Sequence, residues 1–302
     1  MERIYTLNHY FKETFGEKVY KLSLDGGFTC PNRDGTIGTG GCIFCSEGGS
    51  GDFAANRTLS ISEQIRQAKH IFSCKQTGQK YIAYFQAFTN TYGPLPYLKK
   101  IYLEAMEPDE IVGISIGTRP DCLPEEVCIL LSDLNKQKPV FLELGLQTIH
   151  EKTAQFIRRG YPLSVFENAV YQCHDLGLNL VCHLILGLPG ETKEDIFETI
   201  QYVNHLPIQG IKLSMLHILD GTDLADYYRQ FPFPVYEKDE YIDLIVDCLE
   251  CIRPDMVIHR MTGDGPKDLL IAPLWSLDKR SVLNGIQKRL KERNTWQGRK
   301  EL

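Results

Sequence analysis

Cys30, Cys42 and Cys45 fall within sixteen residues in a C-x11-C-x2-C arrangement, and Gly35, Gly38, Gly40 and Gly41 lie between the first two. Glycine permits positive φ angles and close backbone approach, so such a loop can wrap a bulky inorganic cluster and turn amides toward its sulfurs. A closed structural zinc site or an ordinary electron-transfer cluster wants a fourth thiolate, and none lies nearby in the loop. Three ligands leave one metal position open for a substrate or cofactor. A zinc loop completed by a remote ligand, or three incidental thiols, are the alternatives that the residues leave standing.

The elements that must position this loop alternate between β-rich runs and longer amphipathic stretches. Strands are expected at 19–24, 81–85, 111–116, 140–144, 180–186 and 211–216, and helices at 60–71, 95–106, 125–134, 164–176 and 193–206. Ser60 followed by Glu63, and Pro124 followed by Glu125 and Glu126, are helix-start signals. The alternation predicts an α/β fold with parallel pairing and right-handed crossovers, and therefore a site at the carboxyl ends of the strands. The glycine-rich segments after the first five strands, 25–53, 86–93, 117–121, 145–149 and 187–192, should form that rim.

C-x-n-C-x2-C with Phe44 just before the last cysteine, after a first strand, resembles the radical S-adenosylmethionine superfamily. The commonest form there has three residues between the first two cysteines. The longer spacing, with Cys-Pro-Asn-Arg-Asp-Gly and Gly-Gly-Cys-Ile-Phe-Cys, is similar to a bacterial subfamily and, more distantly, to the elongator catalytic subunit. The resemblance covers about residues 22–219. It implies a partial (β/α)6 barrel over 1–253 with a C-terminal extension over 254–302, a [4Fe-4S] cluster on Cys30, Cys42 and Cys45, and S-adenosylmethionine as cofactor.

By the same comparison Phe44 would border the cofactor, and Gln86, Thr89 and Asn90 its amino group, although the family often has Gly-Gly-Glu where this chain has neutral acceptors. Thr118 and Arg119 would follow after the third strand, with a surface ion pair between Arg119 and Asp121 as the bland alternative. Gln147 would touch the ribose, Arg159 the methionine carboxylate, and backbone groups near Leu186 and Gly187 the adenine edge. His183 would face the same interior, where it is either a packed core residue or part of the site. Glu143 alternates to the face of Gly145 and Gln147, and a buried carboxylate there needs a partner or a raised pKa.

The implied reaction is reductive cleavage of S-adenosylmethionine to a 5'-deoxyadenosyl radical, with an electron donor such as flavodoxin or ferredoxin. The subfamily's implied substrate is the C5 carboxymethylaminomethyl group of the tRNA wobble uridine. A small metabolite or peptide is the alternative within enzymes, and an iron-sulfur binding or electron-transfer protein without turnover is the alternative of another class.

Composition fits these expectations without deciding them. At 302 residues and 43% apolar, the chain can bury one large core. The formal charge of -6 argues against binding nucleic acid by overall charge, while the segment from Ser276 onward is locally basic. The first twenty residues hold no apolar run suited to a signal, and no segment approaches bilayer length, so a cytoplasmic protein with no membrane partner is expected. Beyond Pro254 a short β-like run, 256–261, precedes a glycine-rich turn, and His259, Arg260, Asp264 and Trp275 are expected near the barrel mouth. Cys74, Cys122, Cys128, Cys173, Cys182, Cys248 and Cys251 fall in or beside regular elements and read as buried thiols, although Cys248 and Cys251 have redox-motif spacing. The run Gly187-Leu-Pro-Gly190 lacks the Gly-Lys-Ser/Thr ending of a phosphate loop.

Overall fold

The apolar runs become strands because each is β-rich and bounded by turn residues, and a computed structural model describes residues 2–49, 54–72 and 78–300 of the chain. In order the elements are α1 (Leu7–Phe15), β1 (Val19–Leu24), α2 (Ile61–Phe72), β2 (Lys80–Phe85), α3 (Leu95–Met106), β3 (Ile111–Thr118), α4 (Glu125–Asn135), β4 (Val140–Gln147), α5 (Glu151–Phe156), α6 (Leu163–Asp175) and β5 (Asn179–Leu186). There follow α7 (Lys193–Asn204), β6 (Gly210–Met215), β7 (Ile218–Leu219), α8 (Asp223–Gln230), α9 (Lys238–Cys251), β8 (Val257–Arg260), β9 (Leu270–Ala272) and α10 (Lys279–Glu292). Ser60 and Glu63 form the reciprocal cap expected of them at the start of α2.

One sheet of seven strands runs β1-β2-β3-β4-β5-β6-β8, every pair parallel. The six strands expected from the sequence are all present, and the seventh comes from the short run beyond Pro254, so the extension contributes to the sheet. β7 and β9 form a separate antiparallel pair.

The sheet is curled into a half-barrel, and two lysines demonstrate it. Lys212 on β6 donates to the Tyr84 hydroxyl on β2 at 3.0 Å, and Lys21 on β1 reaches Glu143 on β4 at 2.7 Å. Four strand spacings in a flat sheet would be about 19 Å. The convex face carries Leu22, Leu24, Ala83, Phe85, Ile114, Leu142, Leu144 and Leu213, which pack under the helices in the main core. The opposite face is polar toward the strands' carboxyl ends. At the other end Val19, Ile82 and Phe141 meet Phe11 of α1, closing the barrel floor with a small apolar cluster. Among the described residues, no helix is long and apolar enough to cross a membrane.

Candidate active site

The loop after β1 is folded on itself by its own backbone. Arg33 and Gly41 donate to the carbonyls of Cys30 and Asn32 at 2.8 and 2.7 Å, and Cys45 donates to Cys42 at 3.0 Å. Gly41 has φ 73°, and a Cβ there would lie 2.9 Å from Arg33 Nε, so the turn requires glycine. Asn32 Nδ2 donates to the Arg158 carbonyl at 2.6 Å, and Arg33 donates to the Cys45 carbonyl at 2.9 Å. Ile43 is sunk among Ile157, Leu188 and Leu216. Its two neighbours in the loop, Cys42 and Phe44, are thereby aimed into a cavity of about 280 Å³ that all three cysteines line.

The donor set fits a cluster better than a single ion. Zinc-sulfur bonds of about 2.3 Å hold tetrahedral sulfurs under 4 Å apart. Among the described residues, the His, Cys, Asp or Glu ligand atoms that approach within 4.8 Å as a trio are those of His150, Asp195 and Glu198, on the surface, and not those of the cysteines. Burial, with Cys45 beside it, pushes the Cys42 thiol up to about 12 while Arg119 pulls the other way.

Phe44, Gln86, Thr89, Thr118, Arg119, Gln147, Arg159 and His183 line the same cavity, so the rim segments converge. Three of the singled-out residues do not. Asn90 is fully buried and donates from Nδ2 to the Gly117 carbonyl at 2.8 Å, tying the β2 loop to β3. Leu186 is packed in the main core with its carbonyl taken by the Leu216 amide at 3.0 Å, and Gly187 lies against the Tyr236 ring. Leu184 and Ile185, one to two residues earlier, face the cavity instead.

The two arginines are heavily engaged. Arg119 grips both oxygens of Asp121 at 2.9 and 2.7 Å and donates to the Arg159 carbonyl at 2.9 Å. This is the ion pair with Asp121 that the sequence offered as the bland reading, but it is largely buried and borders the cysteine cavity. Burial opposes its charge, while Asp121 and the nearby Cys30 keep the guanidinium protonated. Arg159 donates to the carbonyls of Tyr161, Leu146 and Thr148 and to Glu151. Its fork therefore fixes the turn after β4, where Gln147 has φ 64° and a Cβ on Gly145 would meet Gln147 Nε2 at 2.5 Å.

Beneath the cavity lies a buried charge network centred on Glu143. Lys21 at 2.7 Å and Ser115 at 2.6 Å reach one carboxylate oxygen; Lys212 and His183, the latter at 3.0 Å, reach the other. Burial alone would raise the Glu143 pKa, but Lys21 and Lys212 outweigh it and hold the carboxyl well below its usual range. Burial first, then Lys212, pulls His183 down to about 4, so the imidazole is neutral at pH 7. The sequence flagged Glu143 but not Lys21, Tyr84 or Lys212. The available signal was a lysine and a serine at alternate positions, Lys21 with Ser23 and Lys212 with Ser214, in runs otherwise apolar.

The Radical SAM superfamily family model matches residues 33–203, and the Radical_SAM C-terminal domain model matches residues 208–292. The chain belongs to the radical SAM superfamily. It is 45% identical to protein YtqA of Bacillus subtilis (strain 168), over 99% of this chain and 92% of that one, and 38% identical to protein YhcC of Escherichia coli (strain K12), over 86% and 84%. Among solved structures, Elp3 of the archaeon Methanocaldococcus infernus matches with a TM-score of 0.67 at 17% identity, covering 92% of this chain and 64% of that chain. At that identity the likeness is one of fold.

In this radical SAM protein, the cofactors are the [4Fe-4S] cluster and S-adenosylmethionine of its superfamily, and the loop of three cysteines meets the needs of the first. The guanidinium of Arg119 beside the thiols makes a prediction. Arg119→Met should weaken iron retention against a competing chelator by roughly 10- to 100-fold, the usual cost of losing a supporting group behind metal ligands. Unchanged retention would mean that the Asp121 pair only shapes the turn.

A second compartment of about 420 Å³ adjoins the first, and Phe44, Gln86, Ile185, Ser214 and Arg260 line both. Of the residues expected at the mouth, Arg260 and Asp264 are there. His259 is buried against Phe141 and Gly210, and Trp275 donates to the Tyr236 carbonyl at 3.0 Å beside Tyr241. Part of the basic tail is neutralised by α9: Arg289 pairs with Asp243, Arg293 with Asp243 and Asp247, and Lys300 with Glu250. Cys122, Cys128, Cys173, Cys182 and Cys248 are buried and Cys251 is partly so; Cys74 lies outside the described residues.

Proposed function

We propose that the protein is an enzyme that generates a 5'-deoxyadenosyl radical and uses it on the C5 side chain of the wobble uridine of tRNA. The observation that carries the first half is the meeting of three loop cysteines, and no fourth among the described residues, on one cavity that also receives the carboxyl ends of the strands. When bound, the cluster and S-adenosylmethionine supply the radical. The chain's own work is to orient and to exclude water: the apolar packing of Ile43 fixes the loop, Arg119 and Arg159 set the rim, and Phe44 stands between the two compartments.

Support for the RNA half comes from the sequence motif shared with the wobble-modifying subfamily and from the adjoining compartment, whose size lies within the range of about 300–1,000 Å³ typical of small-ligand pockets and would accept an everted base. Among the described residues, the exposed cations on α10 without an ion pair are Arg280 and Lys291, which would meet phosphates at the periphery, while Lys288 pairs with Glu292 at 3.6 Å. An electron donor such as flavodoxin or ferredoxin would reduce the cluster.

Two measurements test this. The anaerobically reconstituted protein with dithionite should form 5'-deoxyadenosine from S-adenosylmethionine; no formation would leave only an iron-sulfur binding protein. Cells lacking the chain should accumulate the carboxymethylaminomethyl form of the wobble nucleoside in their tRNA, and an unchanged nucleoside profile would turn the substrate toward a metabolite or peptide.

A further inference from the structure

We propose that Arg260 is the anion-binding group of the second compartment and recognises the carboxylate end of the carboxymethylaminomethyl arm. This rests on the RNA reading above and assigns one residue to the recognition of that substrate.

Arg260 closes β8 and sits in register with Lys212 on β6, which is in register with His183 on β5, so the three form one row across the inner face. Its side chain is 28% exposed. Among the described residues, its ion pair is a long one with Asp264, 3.6 Å from Nη2 to Oδ2. Asp264 is meanwhile held on both oxygens by Lys279 at 2.9 and 2.8 Å. One carboxylate thus faces two cations, and Lys279 holds it by far the more closely.

The neighbouring network does not absorb the surplus. Lys21 and Lys212 share the single carboxylate of Glu143, which therefore has no charge to spare for Arg260, and burial lowers the Lys212 pKa well below its usual range. His183 and His217, both pulled down to about 4 with burial as the leading cause, are neutral at pH 7. The boundary between the two compartments is therefore net positive and carries a partly desolvated guanidinium whose planar fork is unfilled. That group matches a planar oxyanion in bidentate geometry. Because Arg260 lines both cavities, it meets the part of the substrate that travels furthest in, the reacting arm, and not the backbone phosphates left at the rim.

His217 completes the recognition. Ser276 Oγ donates its one proton to the Pro273 carbonyl at 2.8 Å, so it accepts from His217 Nε2 at 3.1 Å. Nδ1 is then an acceptor. The ring is held in place by Gly263, where a Cβ would lie 2.3 Å from Cε1. A guanidinium fork and an imidazole acceptor in one compartment suit a short arm that bears a carboxylate and an N–H donor.

The test uses the reconstituted protein and two anticodon stem-loop RNAs that differ only at the wobble uridine, one with a carboxymethylaminomethyl arm and one with an aminomethyl arm. Wild type should bind the carboxylate-bearing RNA about tenfold tighter, the worth of one charge-assisted contact. Arg260→Met should weaken binding of the carboxylate-bearing RNA about tenfold and so bring that ratio to about one, with S-adenosylmethionine binding kept, and Arg260→Lys should retain part of the preference. A ratio that falls because the ammonium of the aminomethyl RNA binds more tightly without the guanidinium overturns the assignment. Equal binding of the two RNAs by wild type, or a tenfold ratio surviving in Arg260→Met, overturns the assignment of Arg260 and leaves the RNA reading intact. Weakened S-adenosylmethionine binding in Arg260→Met also overturns it, since the fork would then serve the cofactor. Binding of neither RNA by wild type removes the RNA reading and this inference together.

Discussion

Replacing Cys42 with alanine is expected to leave the protein without its cluster and to abolish formation of 5'-deoxyadenosine. Cys42 has no substitute: it lines the cavity with Cys30 and Cys45, and the other cysteines among the described residues are held in α4, α6, β5, α9 or the turn after β3. Loss of a supporting group alone typically costs 10- to 100-fold in metal affinity, so loss of a ligand should exceed about 100-fold. Iron and acid-labile sulfide per chain give the readout. The matched control is Cys248→Ala, which removes a fully buried thiol from α9. That variant should lose about 1 kcal/mol or more of stability through the cavity it creates and keep its iron. If Cys42→Ala keeps its iron and sulfide, the three-cysteine centre is wrong.

The second large effect is on stability. Glu143→Gln should lower the thermal midpoint by roughly 10 °C, because it leaves Lys21 and Lys212 buried without their shared carboxylate. Breaking a buried ion pair from one side costs about 3–5 kcal/mol, and a protein of this size loses about 2–4 °C per kcal/mol. The effect has a definite pH dependence. The folded Glu143 carboxyl titrates well below its usual value, so it binds protons less readily than in the unfolded chain, whose pKa is about 4.3. Its stabilisation is therefore fully present above that value and disappears as pH falls through the folded pKa. Between pH 7 and 5 the two proteins should differ by a constant amount; below about pH 4 the gap should close. A gap that does not change with pH would show that packing, and not charge, accounts for the loss.

The same carboxylate illustrates what could be read in advance. Alternation along 140–147 placed Glu143 on the inner face and required a partner for it, and this the structure provides. Which partners could not be read, because Lys21 and Lys212 lie 122 and 69 residues away in the chain and meet Glu143 through the curl of the sheet. A sequence pattern reports which face a strand residue takes, but curvature accumulates over several strands and is set by their packing under the helices.

The rim shows a similar division. Segment by segment, the loops after the strands were recognisable, and Gln86, Thr118, Arg119, Gln147 and His183 do converge with the cysteines. On β5 alternation sends the Leu186 side chain to the outer core while Ile185 takes the inner position and lines the cavity. Asn90 faces away because its amide is needed to tie Gly117.

By itself the sequence determined the chemistry: three thiols at a spacing and in a glycine-rich loop that depend only on local backbone, and strands whose period of two is local as well. Tertiary structure alone decided that the run beyond Pro254 joins the sheet as its seventh strand, that α9 neutralises part of the basic tail, and that Arg260 carries surplus charge. Each of these is a balance between groups far apart in the chain, and such balances are struck only when folding brings the groups together.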